Sequence, residues 1–202
     1  MKKSRRDLAP SLAGCAVAVL AVLLGVSTAW AYGYGAAEDP VLTAAKSIRA
    51  ELGKGDPEWG AIRKAFGPAR SVLAKMDKDY QQRIVPSAEK AFATKNKKEL
   101  RGALDKGFYF LIRHKLENVP PNLKDFPKAK AILSSAKFYY EAIEVKVKAR
   151  DLGLHRRIEA AFERAFEALG KPGMFGFGSQ PADLKKFKAQ EKAILDALAK
   201  AF

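Results

Sequence analysis

Cysteine is almost absent from this chain of 202 residues, which contains only Cys15. A single cysteine cannot form a disulfide within the chain. It also cannot supply the several thiolates that an iron–sulfur cluster, a thiolate zinc site or a covalently attached c-type haem requires. Any cofactor would therefore be held non-covalently, and the hydrophobic core has to stabilise the fold without cross-links.

Histidine is nearly as scarce, since the chain has only His114 and His155. The sequence contains no Glu-x-x-His pair, zinc-protease motif, nucleophile elbow or phosphate-binding glycine loop, and no Ser-His-Asp set is recognisable. No RNA- or DNA-binding motif is present either. The sequence therefore predicts a protein that is not an enzyme and that does not bind nucleic acid.

The first 31 residues have the layout of an export signal. A basic segment, Lys2–Arg6, is followed by an apolar run, Ala16–Val26, and then by Ala29-Trp30-Ala31, which is a small-x-small cleavage site. The apolar run is about half as long as the roughly 20 residues that a membrane-spanning helix needs. We therefore predict a cleavable signal peptide over 1–31, a periplasmic location and no transmembrane anchor after cleavage.

Two short segments of this region resemble other export signals. Leu12-Ala13-Gly14-Cys15 resembles the lipobox of bacterial lipoproteins, although most of the apolar stretch here follows the cysteine. Ser4-Arg5-Arg6-Asp7-Leu8 resembles part of the twin-arginine motif, a receptor-read address. Because Ala9-Pro10 departs from the usual continuation of that motif, the Sec route is the favoured prediction.

Positive charge is in large excess. The chain has 37 lysine and arginine residues against 22 aspartate and glutamate residues, a formal net charge of +15, and the predicted signal peptide holds little of that excess. The charge predicts an anionic partner, either an anionic protein or an anionic membrane surface. The alternative is that these lysines, interleaved with acidic residues, form ordinary solvated helix faces.

The rest of the chain shows the 3.6-residue apolar period of helices and no sustained alternation typical of strands. Residues 32–39 predict a flexible leader and residues 40–202 a single domain, with a proline-rich crossover at 119–127. Helices of about 15 to 23 residues with short links favour an all-α, up-down bundle of four long helices with shorter additional helices.

Several residues mark predicted helix boundaries. Asp56 and Pro57 predict the start of a helix whose apolar stripe ends at Met76. Pro86 is expected to kink the following helix, and Asn96 to cap the next one. The helices that follow the one ending near Met76 are predicted at about residues 79–94, 97–118, 128–150, 154–169 and 182–201.

His114 is the main candidate ligand. It lies within about 40° of Leu100 around the helix, on the same side as Gly107 and Leu111. Because the glycine leaves a gap, His114 could ligate a non-covalent haem or iron with Met76 opposite, in a site similar to that of the b-type cytochrome bundles. The alternative is a half-buried histidine bonded to a backbone group or a carboxylate.

The segment His114-Lys115-Leu116-Glu117 resembles the second half of the G-x-H-x-x-E motif of the imelysin-like iron-uptake proteins, which are exported and helical. Ile112 stands where that family has glycine. The resemblance implies a role for His114 and Glu117 in iron binding, but Glu117 lies about 100° away from the apolar stripe.

Glu191 occupies the centre of the apolar stripe of the last helix, between Phe187 and Ile194. A buried carboxylate without a partner is costly. Our hypothesis is that Glu191 faces His114 or a buried arginine across the bundle. The alternative is that it lies at a frayed, exposed helix end.

Two further features are candidates for binding. His155 and Glu159 are one helical turn apart and could hold a metal at the surface, although the neighbouring Arg156 and Arg157 favour a salt-bridged face. A glycine-rich stretch carries three large apolar side chains. We interpret this stretch as an interaction loop; the alternative is that its side chains fold back over the core. These are Met174, Phe175 and Phe177.

These observations favour an exported, non-enzymatic accessory or binding protein, without a cofactor, that acts through a basic surface. The alternative function is a carrier of non-covalent haem or iron. Its candidate ligands are His114, Glu191, Met76 and Glu117.

Overall fold

The computed structural model describes residues 39–173 and 178–202. Apart from one isolated β-bridge, the regular structure in these ranges is helical, so the all-α prediction is confirmed. A short 3-10 turn, Pro120–Asn122, links the fourth helix to the fifth. The α-helices are α1 (Pro40–Leu52), α2 (Trp59–Asp79), α3 (Ile84–Ala93), α4 (Lys97–Asn118), α5 (Phe126–Glu141), α6 (Glu144–Arg150), α7 (Leu152–Ala168) and α8 (Leu184–Ala201).

Side-chain caps determine where many of these helices begin. A short polar side chain at the N-cap accepts a hydrogen bond from a backbone N–H of the first turn, a contact worth about 1 kcal/mol. The predicted cap at Asn96 is confirmed, because its Oδ1 accepts from the N–H of Glu99 at 3.0 Å. The capping residues of α1, α4, α5, α7 and α8 are Asp39, Asn96, Asp125, Asp151 and Asp183.

Asp39 uses its second carboxylate oxygen as well. While Oδ1 caps α1, Oδ2 accepts a hydrogen bond of 2.6 Å from the hydroxyl of Tyr139 in α5. Burial of Tyr139, together with this bond to a carboxylate, raises the pKa of its hydroxyl well above the usual value. The start of α1 is thereby tied to the last turn of α5.

The predicted start of α2 is wrong. Asp56 does not cap the helix, which begins at Trp59 after Glu58, a residue that makes no side-chain cap. The N–H of Glu58 donates instead to Glu51 Oε1 of α1 at 3.0 Å. The link between α1 and α2 is therefore held by a contact with the preceding helix, which delays the start of α2.

The predicted kink at Pro86 is also wrong. Because α3 begins at Ile84, Pro86 is in the first turn of the helix. Backbone N–H groups of the first turn have no intrahelical acceptor, so a proline without an N–H fits there. Asp77 of α2 caps the start of α3, because its two carboxylate oxygens accept hydrogen bonds from the N–H groups of Ile84 and Val85.

The helix predicted at 128–150 is two helices, α5 and α6, with a break at Ala142 and Ile143. No proline or glycine marks this break. The N–H of Ile143 donates to the carbonyl of Tyr140 at 2.8 Å, which closes α5 with a tight 3-10 type turn. After the turn Val147 is buried and Val145 is exposed.

The core receives side chains from each helix of the described ranges. Helices that follow one another in sequence make most of the contacts, notably α1 with α2, α3 with α4, α4 with α5, and α7 with α8. The up-down arrangement of four long helices stays a prediction. The largest fully buried side chains include Tyr140, Phe66, Phe108, Phe162 and Phe187.

None of the helices in the described ranges has the length and apolar character needed to cross a membrane. The predicted signal peptide, with Cys15, and residues 32–38 of the predicted leader lie outside the described residues. So do Met174, Phe175 and Phe177 of the predicted interaction loop.

Candidate functional site

The connection between α7 and α8 is closed at its base by an antiparallel bridge. The N–H of Lys171 donates to the carbonyl of Gln180 at 2.9 Å, and the N–H of Gln180 donates to the carbonyl of Lys171 at 3.0 Å. The N–H of Asp183 also donates to the carbonyl of Ala168 at 2.8 Å. These bonds fix both ends of the segment that contains the predicted interaction loop.

Glycine is required where this bridge begins. Gly170 has a φ of +76°, in the left-handed region, and a Cβ at this position would lie 2.1 Å from the carbonyl oxygen of Gln180. Any other residue would therefore strain the backbone and collide with the opposite side of the bridge. Gly178 has a φ of +72°, but a Cβ there would meet no atom of the other described residues within 4 Å, its chain neighbours aside.

A groove of about 550 Å³ lies between this bridge and the proline-rich crossover. We call it the crossover groove. Apolar side chains make up much of its lining, two exposed lysines lie beside them, and none of the described lining residues carries a carboxylate. Its lining residues are Leu123, Lys124, Phe126, Leu169, Lys171, Pro172, Gln180, Pro181 and Ala182. This chemistry suits a partner that presents apolar and anionic groups together.

A second groove, of about 880 Å³, shares Lys171 and the segment 180–182 with the first. Arg164 and Lys186 line it, but so do carboxylates, one of which is Asp183, 3.4 Å from the Lys186 ammonium group. The positive charge of this second groove is therefore partly neutralised. The crossover groove is the more selective of the two for an anion.

The structure brings His114 and Glu117 together through Tyr80, at the end of α2. The Tyr80 hydroxyl donates to Glu117 Oε2 at 2.6 Å and lies 3.5 Å from His114 Nδ1. Arg113 donates to Glu117 Oε1 at 2.7 Å, and the side-chain amide of Asn118 lies 3.3 Å from His114 Nε2. We call these five residues the His114 cluster. Its donor and acceptor atoms are largely used by one another.

The other two predicted ligands have different surroundings. Met76 is 1% exposed and packs in the hydrophobic core. Glu191 is 7% exposed, as its place in the apolar stripe predicts, but it forms an ion pair with Lys188 of the same helix rather than with His114 or an arginine. That contact of 2.7 Å lacks hydrogen-bond geometry, so Glu191 Oε2 has no hydrogen-bond partner. The haem or iron alternative stays a prediction.

The electrostatics of the His114 cluster favour a neutral imidazole and an ionised carboxylate. Burial lowers the pKa of His114, and the nearby Lys75 lowers it further. Burial alone would raise the pKa of Glu117, but the hydrogen bonds from Tyr80 and Arg113 outweigh it, so this pKa lies below its usual value. Both shifts mean that the unfolded chain binds protons more readily than the folded one.

The fold should therefore lose stability in acid. The contribution of His114 is complete above the unfolded pKa of 6.5 and is lost as the pH falls from there towards its lower folded pKa. That of Glu117 is lost at lower pH. We expect NMR titration to give His114 a pKa below 6.5, with Lys75→Ala raising it and Lys64→Ala leaving it unchanged. The signal lost in His114→Gln assigns the resonance, and a pKa at or above 6.5 would contradict the described burial.

Tyr80, Arg113 and Asn118 were not identified from the sequence as members of this cluster, and Tyr80 is the one that comes from a distant part of the chain. It is separated from His114 by 34 residues and from Glu117 by 37, and no local motif links it to them. Lys124 and Lys171 were likewise not singled out as a pair, because only the packing of the crossover against the α7–α8 connection places them on one groove.

No protein-family model, curated protein or solved structure matches this chain.

Proposed function

We propose that this chain is an exported, non-enzymatic protein, an up-down helical bundle, that works in the periplasm as an accessory or binding protein on an anionic surface. The chemistry of the crossover groove is the main support for this proposal. It combines an apolar lining with Lys124 and Lys171, and its lining has no carboxylate within the described part of the chain. The net charge of +15 acts in the same direction at longer range.

Of the two anionic partners that the sequence predicts, an anionic membrane surface fits the groove better. Phosphate headgroups above acyl chains offer negative charge and apolar surface side by side, as the groove requires. Leu184, which is 50% exposed, lines the adjoining groove and extends the apolar surface. An acidic protein would satisfy the lysines but would leave these apolar side chains without a matching partner.

The test is sedimentation of the processed protein, purified after export, with vesicles of phosphatidylcholine with and without phosphatidylglycerol. We expect binding only to the anionic vesicles. Binding should weaken steeply as the ionic strength rises from about 0.1 to 1 M, which shortens the Debye length from roughly 10 to 3 Å. Each lysine near an anionic surface contributes about 1 kcal/mol, so Lys124→Ala with Lys171→Ala should lower the partition constant about 30-fold.

A matched control removes the same charge elsewhere. Lys46 and Lys64 are exposed on α1 and α2 and do not line the groove, so replacing both by alanine should reduce binding only severalfold. Equal losses in the two double variants would place the binding outside the crossover groove. Absence of binding to the anionic vesicles would refute the membrane proposal in favour of an acidic protein. N-terminal sequencing of the same preparation checks cleavage after Ala31.

A further inference from the structure

The break between α5 and α6 is followed by Glu144, whose carboxylate lies beside the first two turns of α7. Glu144 is the first residue of α6, and His155 and Glu159 are one turn apart on α7. One potential ligand atom from each of the three side chains lies within 4.8 Å of those from the other two. The three residues come from two helices, and the group does not include any part of the His114 cluster or the crossover groove.

His155 is held in place by Tyr140. The hydroxyl of this fully buried tyrosine lies 2.6 Å from His155 Nδ1, and the two rings stack with centroids 6.0 Å apart. The His155 side chain is only 12% exposed. A metal-ligating histidine binds the ion through one ring nitrogen and donates the N–H of the other, so a metal here would bind Nε2 while Nδ1–H donates to the Tyr140 oxygen.

Glu159 has an oxygen in need of a partner. Its Oε2 pairs with the ammonium group of Lys137, but its Oε1 is buried and has no hydrogen bond, lying 4.0 Å from His155 Nδ1. Leaving a buried carboxylate oxygen unpaired is costly. A cation between Glu159 and Glu144 would remove that cost.

The carboxylates of the cluster act on the titratable groups beside them. Burial raises the pKa of Tyr140, and the charges of Glu159 and Glu144 raise it further. Burial likewise raises the pKa of Glu141, with the same two carboxylates adding to the shift although Lys137 opposes it. Glu159 and Glu144 are each paired with one lysine, Lys137 and Lys148 respectively.

We propose that Glu144, His155 and Glu159 form a binding site for a divalent transition-metal ion, with Zn²⁺ as the best match. An imidazole with two carboxylates is a common ligand set for such ions. Ligand atoms around a tetrahedral Zn²⁺ lie roughly 3.4 Å apart, given metal–ligand distances of about 2.1 Å. The three side chains would therefore have to approach one another by about 1 Å, and Lys137 would release Glu159.

The test is calorimetric titration of the untagged protein with Zn²⁺ alone, together with its thermal unfolding. We expect one ion per chain and a higher melting temperature in excess Zn²⁺. Glu144→Gln and His155→Ala should each weaken binding at least tenfold. Glu144 is partly exposed, so its variant serves even if removal of the more buried His155 impairs folding.

Two further variants distinguish a metal site from a purely structural ion-pair network. Lys137→Ala frees Glu159 from its competing ammonium partner and should tighten Zn²⁺ binding severalfold, whereas a structural network would only lose stability. Glu163→Gln, at an exposed position of α7, should leave binding unchanged. The proposal is overturned if no Zn²⁺ binds, if Glu144→Gln and His155→Ala both bind as the unaltered chain does, or if His114→Ala alone abolishes binding.

Discussion

Replacing Phe108 by alanine is expected to lower the free energy of unfolding by about 3–5 kcal/mol. The Phe108 ring is 0% exposed, contacts Tyr139 of α5 at a centroid distance of 6.1 Å, and has the Arg49 guanidinium of α1 5.4 Å from its centroid. Its removal would leave a cavity where three helices meet. Urea unfolding followed by circular dichroism measures the loss, with the slope of the transition as a check that two-state behaviour is kept.

The control for this variant is Phe202→Ala, which removes the same ring at a position that is 41% exposed. Its expected cost is below about 1 kcal/mol, because little apolar surface returns to water. If the Phe108→Ala chain does not fold, Phe108→Leu should still unfold at a lower urea concentration than the unaltered chain. Equal stabilities for the two alanine variants would mean that Phe108 does not lie where α1, α4 and α5 meet.

The second large effect is expected for Gly170→Ala, at about 2–4 kcal/mol. Part of this cost is the left-handed φ of +76°, which disfavours a residue with a Cβ by about 1–2 kcal/mol. The remainder arises because the new Cβ would collide with the carbonyl oxygen of Gln180, a backbone atom that can move only if the bridge opens. Hydrogen exchange at the amides of Lys171 and Gln180 should accelerate together.

Gly178→Ala is the matched control for that variant. Its φ of +72° is nearly the same, but no atom of the described residues beyond its chain neighbours lies within 4 Å of the new Cβ, so the conformational cost of about 1–2 kcal/mol is the expected effect. The difference between the two variants measures the close approach across the bridge. Gly170→Ala should also weaken vesicle binding, since Lys171 and Gln180 line the crossover groove. Equal costs for the two variants would contradict the described bridge.

Helix boundaries were predictable from the sequence where the deciding contact is local. Asn96 caps α4 by a bond to Glu99, three residues away, and the predicted helix 97–118 has the observed limits. The start of α2 depends instead on the bond from Glu58 to Glu51 of another helix. The turn at Ile143 carries no proline or glycine, so the break before α6 could not be predicted from composition.

The candidate sites follow the same division between local and distant contacts. Glu191 is buried, as the hypothesis drawn from the helical period required, and not at an exposed helix end, yet its ion-pair partner is Lys188, three residues earlier, and not a residue across the bundle. His114 and Glu117 are neighbours by helical spacing, but the Tyr80 hydroxyl that joins them belongs to the residue that follows α2. Periodicity indicates which face a side chain occupies and leaves its distant neighbours undetermined.

The double use of Asp39 makes the first helix cooperative with a distant one. The Asp39 carboxylate accepts a hydrogen bond from the first turn of α1. It also accepts one from the hydroxyl of Tyr139, which lies 100 residues further along the chain. Fraying of α1 from its start would therefore break the cap and, in the same step, leave the buried hydroxyl of Tyr139 without its hydrogen-bond partner. The described part of the chain has no disulfide, so this carboxylate links the two helices by non-covalent contacts that can break and re-form. The amides of α1 and α5 should therefore be protected from hydrogen exchange as one unit.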